Sequence, residues 1–270
     1  MFEQIIQIAE EAGRAILEVY KGSKIEVETK SDSSPLTQAD LAAHRVIVAR
    51  LAELYPEIPV LSEESDSISL EQRRAWSRYF LVDPLDGTKE FIQRNGEFTV
   101  NIALIDQGKA IVGVVHVPVQ GTSYFGTQLD KPAAWFIENG HRKEIHARSM
   151  QTRQEGDPLV VVASRRHGAD ALEHLLDGLR TRFKQVELTN MGSSLKLCLV
   201  AAGKADLYPR LAPTSEWDTA AAQAIVEAAG GRVLDLDFQP LLYNQKDSLL
   251  NPEFLVVGDR QYDWQKHLLF

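Results

Sequence analysis

The stretch at residues 79–88 reads Tyr-Phe-Leu-Val-Asp-Pro-Leu-Asp-Gly-Thr and joins an apolar strand to a turn. Its proline fixes the chain direction and its glycine permits a tight turn. Asp83 and Asp86, three residues apart at a strand end, can face one point, and Leu85 can offer its carbonyl oxygen there. Because hard cations such as Mg²⁺ prefer carboxylate and carbonyl oxygens, the stretch predicts a metal site.

A helix is predicted to begin directly after Gly87, at Thr88. The unpaired backbone N–H groups at a helix start are a natural seat for phosphate. A metal site beside a phosphate seat is the layout that a phosphomonoesterase needs. The alternative is that Asp-Pro and Asp-Gly only mark a surface turn.

Two further acidic signals lie far from this stretch in the sequence. Glu63-Glu64 follows the apolar pair Val60-Leu61, and Asp218 follows Trp217 at the opening of an alanine-rich helix. Taken singly, the glutamates would be solvated and Asp218 would favour the N-terminal end of the helix dipole. Together with the first stretch they indicate one acidic site.

Periodicity predicts the fold class around this site. Apolar spacing indicates helices from residue 5 to 19 and from 37 to 54, β-rich runs follow between residues 79 and 147, and Gly108 suggests a hairpin. The polar residues 148–157 are the best candidate for a boundary between two halves of the chain. Beyond them strands alternate with helices, including a strand at 183–188. The sequence predicts an α/β (α+β) chain whose two sheet-containing halves are residues 1–150, with most metal ligands, and residues 151–270.

Composition limits the partners. Lysine plus arginine total 29 against 38 for aspartate plus glutamate, a net charge of -9, which argues against binding polymeric nucleic acid. The single cysteine, Cys198, excludes an internal disulfide and is predicted to be a small core residue. No apolar run approaches the ~18 residues of a membrane span, and the first residues lack a signal-peptide pattern. We expect a cytoplasmic protein, with peripheral contact at the inner membrane and the oligomeric state left open.

Glu63-Glu64, residues 83–88 and Trp-Asp-Thr-Ala-Ala at 217–221 resemble the signature of the inositol monophosphatase superfamily. The resemblance extends to about residue 258. It implies a layered αβαβα sugar-phosphatase-like fold and a magnesium-dependent, lithium-sensitive phosphatase. Residues 88–91, 94–99 and 192–196 further resemble one branch, the bacterial 3'(2'),5'-bisphosphate nucleotidases.

The resemblance implies a role for each matching residue. Asp40 and Thr88 would orient and deprotonate the attacking water, with Glu64 behind them. Two or three Mg²⁺ ions would be held by Glu63, Asp83 as a bridge, the Leu85 carbonyl, Asp86 and Asp218. The substrate would contact Glu63, Leu85, Asp86, Gly87, Thr88, His167, Ser193, Lys196, Arg210 and Asp218.

Some of these residues also have simpler interpretations. Thr37 and Asp40 fit a capping box, Lys196 could be a solvated lysine, and Arg210 and His167 could be ordinary loop residues. Ala222 stands where the branch usually has glycine, one turn inside a helix, and leaves the ligands untouched.

The branch implies hydrolysis of the small molecule adenosine 3',5'-bisphosphate, a by-product of sulfate assimilation, to AMP and phosphate. The same pocket could accept 3'-phosphoadenylyl sulfate. One alternative is a phosphatase of the same superfamily that acts on inositol or fructose phosphates. The other is a non-catalytic, metal-dependent sensor of phosphorylated nucleotides.

Overall fold

The computed structural model describes residues 2–22, 27–29, 35–65, 68–154, 156–163 and 169–268. The helices within these ranges are α1 (Phe2–Tyr20), α2 (Gln38–Leu54), α3 (Leu70–Arg74), α4 (Thr88–Ile92), α5 (Ala169–Arg180), α6 (Leu195–Ala201) and α7 (Glu216–Ala228), with 3₁₀ turns at Met150–Thr152 and Trp264–Lys266. The strands are β1 (Val27–Thr29), β2 (Pro35–Thr37), β3 (Val60–Ser62), β4 (Arg78–Asp86), β5 (Thr99–Asp106), β6 (Lys109–Val117), β7 (Thr122–Thr127), β8 (Ala133–Glu138), β9 (His141–Glu144), β10 (Leu159–Ala163), β11 (Val186–Asn190), β12 (Leu207–Arg210), β13 (Arg232–Asp235) and β14 (Phe254–Val257).

A seven-stranded sheet runs in the order β3-β4-β5-β6-β7-β8-β9. β3 is parallel to β4, and every later neighbour is antiparallel. Gln107 and Gly108 make the turn between β5 and β6 with φ values of 51° and 76°. The mostly antiparallel sheet and the hairpin at Gly108 are therefore confirmed. A separate two-stranded sheet joins β1 to β2.

A five-stranded sheet in the order β11-β10-β12-β14-β13 forms a second layer of strands. Helices α1 and α2 cover one face of the larger sheet, and α7 packs on its other face. Helices α6 and α7 also contact the smaller sheet, and α5 packs on β11 at the far side. The order of layers is helices, sheet, helices, sheet, helix, so the predicted αβαβα fold is confirmed.

Apolar periodicity accounts for these layers. Helix α1 buries Ile5, Ala9 and Ile16 on one side, against the core beneath the larger sheet. Ala222 is buried in α7, and Cys198 in α6 is the predicted core residue. Burial raises the pKa of the Cys198 thiol, which keeps it protonated and unreactive.

The strand predicted at residues 183–188 was wrong in its position. Phe183 N donates to Leu179 O at 2.9 Å, so this residue closes the end of α5, and the strand begins at Val186. The boundary between residues 150 and 151 stays a prediction. None of the described helices has the length and apolarity needed to cross a membrane.

Candidate active site

The acidic stretch lies where β4 ends. The pairing of β4 with β5 shifts register between Asp83 and Asp86, and Gly87 follows with a φ of 91° before α4 begins. This left-handed conformation favours glycine. Leu85 N donates to Asp83 Oδ1 at 3.0 Å, which fixes the Asp83 carboxylate. The irregular end of β4 therefore brings both aspartates to one side of the turn.

Asp218 joins these two aspartates from α7. One oxygen from each of Asp83, Asp86 and Asp218 lies within 4.8 Å of the others, and this group could hold a metal ion. Ser215 N donates to Asp218 Oδ2 at 2.8 Å, so the start of α7 fixes the third carboxylate. A donor set made of carboxylate oxygens fits Mg²⁺.

Electrostatics point the same way. Burial raises the pKa of Asp83 well above its ordinary value, and the neighbouring carboxylates of Glu63, Asp86 and Asp218 raise it further. Burial and Asp86 likewise raise the pKa of Asp218. Because adjacent buried carboxylates repel one another, cations would stabilise their ionised forms.

The glutamate pair follows β3. Ser62 pairs with Val82, and Glu63 N donates to Val82 O at 3.1 Å, so Glu63 leaves the sheet beside Asp83. The charge of Glu64 raises the pKa of Asp40, which places Glu64 near the predicted base. The structure therefore brings Glu63 beside Asp83, and the metal and water-positioning roles of the two glutamates stay predictions.

Asp40 and Thr88 are in direct contact. Thr88 Oγ1 donates to Asp40 Oδ1 at 3.3 Å, and the Leu85 carbonyl oxygen lies 3.4 Å from the same hydroxyl. Asp40 is only 2% exposed, and burial raises its pKa although hydrogen bonds from Thr37 oppose the change. The pair can pass a proton from the hydroxyl to the carboxylate.

The remaining predicted contacts line a cleft beside the carboxylates. Its walls include residues from both sheet-containing halves, among them Asp86, Gly87, Ser193, Lys196, Arg210 and Asp218. His167 lies outside the described residues, so its predicted role stays a prediction.

Lys196 and Arg210 bring positive charge to this cleft. Lys196 Nζ donates to Ser193 O at 2.6 Å and lies 5.7 Å from the centre of the Tyr208 ring. Burial lowers the pKa of Lys196 to about 8, while Asp86 opposes the change. Arg210 Nη2 donates to Pro213 O at 3.0 Å, and the Arg210 side chain also makes a hydrogen bond to Tyr208. Both side chains therefore hold backbone carbonyl groups and bring positive charge beside the acidic cluster.

Sequence reasoning missed a set of polar residues behind the carboxylates. Thr99 and Asn101 are buried on β5, and Asn101 Nδ2 lies 3.5 Å from Asp86 Oδ2. Ser194 N donates to the same oxygen at 2.5 Å. Two polar residues at alternate positions of an otherwise apolar strand were the available signal.

Comparison with known proteins agrees with this fold and gives the family of the chain. A sequence model of the inositol monophosphatase family matches residues 1–267, and the chain belongs to that family. A Salmonella typhimurium relative, 3'(2'),5'-bisphosphate nucleotidase CysQ, is 52% identical over 95% of this chain and 99% of its own length. A protein of the same name from Haemophilus influenzae is 36% identical over 100% of this chain and 97% of its own.

Solved structures give the same result. The crystal structure of CysQ from Bacteroides thetaiotaomicron, a bacterial member of the inositol monophosphatase family, is 42% identical and superposes with a TM-score of 0.81. The match covers 96% of this chain and 97% of that one. The extragenic suppressor protein SuhB from Bartonella henselae is 27% identical with a TM-score of 0.75, covering 96% and 93%.

Proposed function

We propose that this chain is a magnesium-dependent 3'(2'),5'-bisphosphate nucleotidase that converts adenosine 3',5'-bisphosphate to AMP and phosphate. The observation that carries the proposal is one cleft that is lined by Asp86, Asp218, Lys196 and Arg210, with Asp83 completing the carboxylate cluster beside it. The near full-length similarity to relatives named for this activity supports it. The substrate is a small nucleotide, and a cytoplasmic location remains a prediction.

The carboxylates give the cleft its chemistry. Glu63, Asp83, Asp86, Asp218 and the Leu85 carbonyl would hold divalent cations. Such ions would neutralise the phosphate charge and lower the pKa of a bound water molecule. When all four are ionised, these carboxylates carry a charge of about -4 and would repel any phosphate, so the chain depends on cations for binding.

Thr88 and Asp40 would remove the proton of the attacking water. The hydroxyl of Thr88 accepts that proton as it donates its own to Asp40 Oδ1, 3.3 Å away. Because burial raises the pKa of Asp40, its carboxylate is a better base than an exposed aspartate. This contact favours an enzyme over a non-catalytic sensor, which would not need the pair.

Arg210 would recognise the phosphate that is not cleaved. A planar guanidinium can bond two phosphate oxygens, and Arg210 lines the cleft together with Asp86 and Asp218. Lys196 would contribute charge nearby, while its ammonium also fixes the Ser193 carbonyl. A substrate with a single phosphate would not need this second anion site.

We expect Arg210→Ala to raise KM for adenosine 3',5'-bisphosphate by about tenfold to a hundredfold, since a hydrogen bond to a charged group contributes ~1.5–3 kcal/mol. Its kcat/KM for inositol 1-phosphate should hardly change. Phosphate release on both substrates measures this, with Arg180→Ala on the exposed surface of α5 as the matched control. Equal losses on both substrates would mean that Arg210 supports the fold. A wild-type preference for inositol or fructose phosphates would overturn the proposal.

A further inference from the structure

Residues 191–194, called here the 191–194 segment, form one wall of the cleft and are held by the opposite half of the molecule. Gly192 N donates to Glu97 Oε2 at 2.7 Å, and Ser194 N donates to Asp86 Oδ2 at 2.5 Å. Two carboxylates from the larger-sheet half therefore bind alternate N–H groups of this segment. Charge-assisted bonds of this kind are stronger than neutral ones.

The carbonyl groups of the same segment are held from the other side. Lys196 Nζ donates to Ser193 O at 2.6 Å and approaches Met191 O at 3.4 Å. Ser193 has a φ of 47°, a left-handed conformation that a non-glycine residue adopts only when its surroundings enforce it. The shape of the 191–194 segment thus depends on its partners and not on its own preference.

A directed chain of buried hydrogen bonds ends at one of these carboxylates. Ser194 Oγ donates its single proton to Asn101 Oδ1 at 2.9 Å, so Thr99 Oγ1 must be the donor in its 2.9 Å contact with Ser194 Oγ. Asn101 Nδ2 then donates to Asp86 Oδ2 at 3.5 Å. Thr99, Asn101 and Ser194 are 0%, 1% and 2% exposed, so water does not compete for these bonds.

Asp86 therefore belongs to two structures at once. Its Oδ2 atom accepts from Ser194 N and Asn101 Nδ2, which fix the 191–194 segment. The same carboxylate is part of the acidic cluster with Asp83 and Asp218. Anything that fixes the orientation of the Asp86 carboxylate therefore also fixes the wall of the cleft.

We propose that Thr99, Asn101 and Ser194 are positioning residues that couple cation binding at the acidic cluster to nucleotide binding at the 191–194 segment. This inference rests on the proposed function. A cation that holds the Asp86 carboxylate in its observed orientation also holds the contact with Ser194 N, so the nucleotide meets an ordered segment. Linkage requires the reciprocal effect, so that the nucleotide tightens cation binding by the same factor.

Titration calorimetry of Mn²⁺ binding, with and without saturating AMP, measures this coupling without turnover. In the wild type we expect AMP to tighten Mn²⁺ binding at least fivefold, the lower end of typical coupling. Thr99→Val keeps the shape of the side chain but removes the first donor, and should reduce the factor below about twofold. Thr99→Ser keeps the hydroxyl and should retain the wild-type factor.

A matched control is Ser123→Ala, which removes a buried hydroxyl bonded to His116 on the same sheet, away from the cleft. Its coupling should equal that of the wild type. Ser194→Ala, which keeps the backbone N–H but loses the middle hydroxyl, is a second variant with the same expected loss as Thr99→Val.

The inference is overturned if AMP tightens Mn²⁺ binding to Thr99→Val and Ser194→Ala by the same factor as in the wild type. It is also overturned if each variant binds both Mn²⁺ and AMP more weakly while that factor is unchanged. Direct electrostatic attraction between AMP and Mn²⁺ is the same in all variants. It therefore cannot explain a coupling factor that changes when Thr99 is replaced. Failure of the wild type to hydrolyse adenosine 3',5'-bisphosphate would instead overturn the proposed function. Hydrolysis by the wild type with no AMP effect on Mn²⁺ binding would overturn only the coupling.

Discussion

The two oxygens of Asp40 have different partners. Thr37 N and Oγ1 donate to Oδ2 at 2.7 and 2.6 Å, which completes the capping box of α2. Thr88 Oγ1 donates to Oδ1 at 3.3 Å. From the sequence, a cap and a base are competing interpretations of one aspartate, because spacing does not tell which oxygen meets which neighbour. The fold makes both contacts at once.

We expect Asp40→Asn to lose the base and to weaken the cap, because its amide cannot take a proton and its neutral oxygen is a weaker acceptor for the Thr37 donors than a carboxylate. Its kcat should fall by about 10²–10⁴-fold, more than KM changes, and its stability by ~0.5–2 kcal/mol. Thr37→Ala is the matched control, since it weakens the cap and leaves the Thr88 contact. It should lose similar stability and keep kcat within a few-fold. Steady-state kinetics together with urea unfolding separate the catalytic contribution of Asp40 from its capping contribution. An unchanged kcat in Asp40→Asn would mean that Asp40 serves only as a helix cap.

Helix α7 carries Asp218 and lies unusually close to the larger sheet. A Cβ atom on Gly113 of β6 would lie 1.9 Å from Ala221 O, and one on Gly126 of β7 would lie 2.5 Å from Ile225 Cα. These contacts are to helix backbone, which cannot move aside as a flexible side chain can. The two glycines therefore set the height of α7 above the sheet, and with it the position of Asp218.

Gly113→Ala should push α7 away from the sheet and cost about 1–3 kcal/mol or more of folding free energy. Because Asp218 moves with the helix, Mn²⁺ binding should also weaken. Gly178→Ala is the control, since a Cβ on this α5 glycine meets nothing within 4 Å and should be neutral or stabilising by up to ~1 kcal/mol. Chemical unfolding and calorimetry test both variants. Wild-type stability of Gly113→Ala would contradict the close packing.

The sequence predicts elements better than it predicts contacts between them. Long periodic segments such as α1 and the β5–β6 hairpin follow from local patterns, which is why their positions agree with the structure. The acidic residues followed from motif resemblance. The roles of Thr99 and Asn101 did not, because they depend on Ser194, more than 90 residues away. Such pairing is decided by tertiary packing, which no local pattern contains.

At the scale of the whole molecule, the candidate site joins the two sheet-containing halves. Asp83 and Asp86 come from the larger sheet, while Asp218 comes from the helix layer that also covers the smaller sheet. Cations at this cluster would bind both halves and relieve the repulsion between them. Metal binding should therefore stabilise the entire fold and not only a loop.

This stabilisation should depend on pH with a definite sign. The folded-state pKa values of Asp83 and Asp218 lie well above the ordinary carboxyl value, because of burial and neighbouring carboxylates. Without metal, the folded state therefore binds more protons at these aspartates than the unfolded state does. Their protonated forms contribute to the free energy of unfolding fully below about pH 4, and this stabilisation is lost as the pH rises through the raised folded-state pKa values. Bound cations would offset this loss of stability at high pH, because they stabilise the ionised carboxylates in the folded state.

We therefore expect Mg²⁺ to raise the melting temperature more at pH 8 than at pH 5. At a hundred times its Kd, a ligand stabilises by ~2.7 kcal/mol, which corresponds to a rise of about 5–10 °C in a chain of this size. Comparing melts with and without Mg²⁺ at each pH cancels the contribution of groups that do not respond to metal.

Asp218→Asn removes one of the repelling charges and keeps an oxygen for Ser215 N. Without metal it should melt above the wild type at pH 8, and it should lose most of the Mg²⁺ response. A Mg²⁺ shift that is the same at both pH values would show that these carboxylates are already ionised in the metal-free fold, and that repulsion between them does not limit its stability.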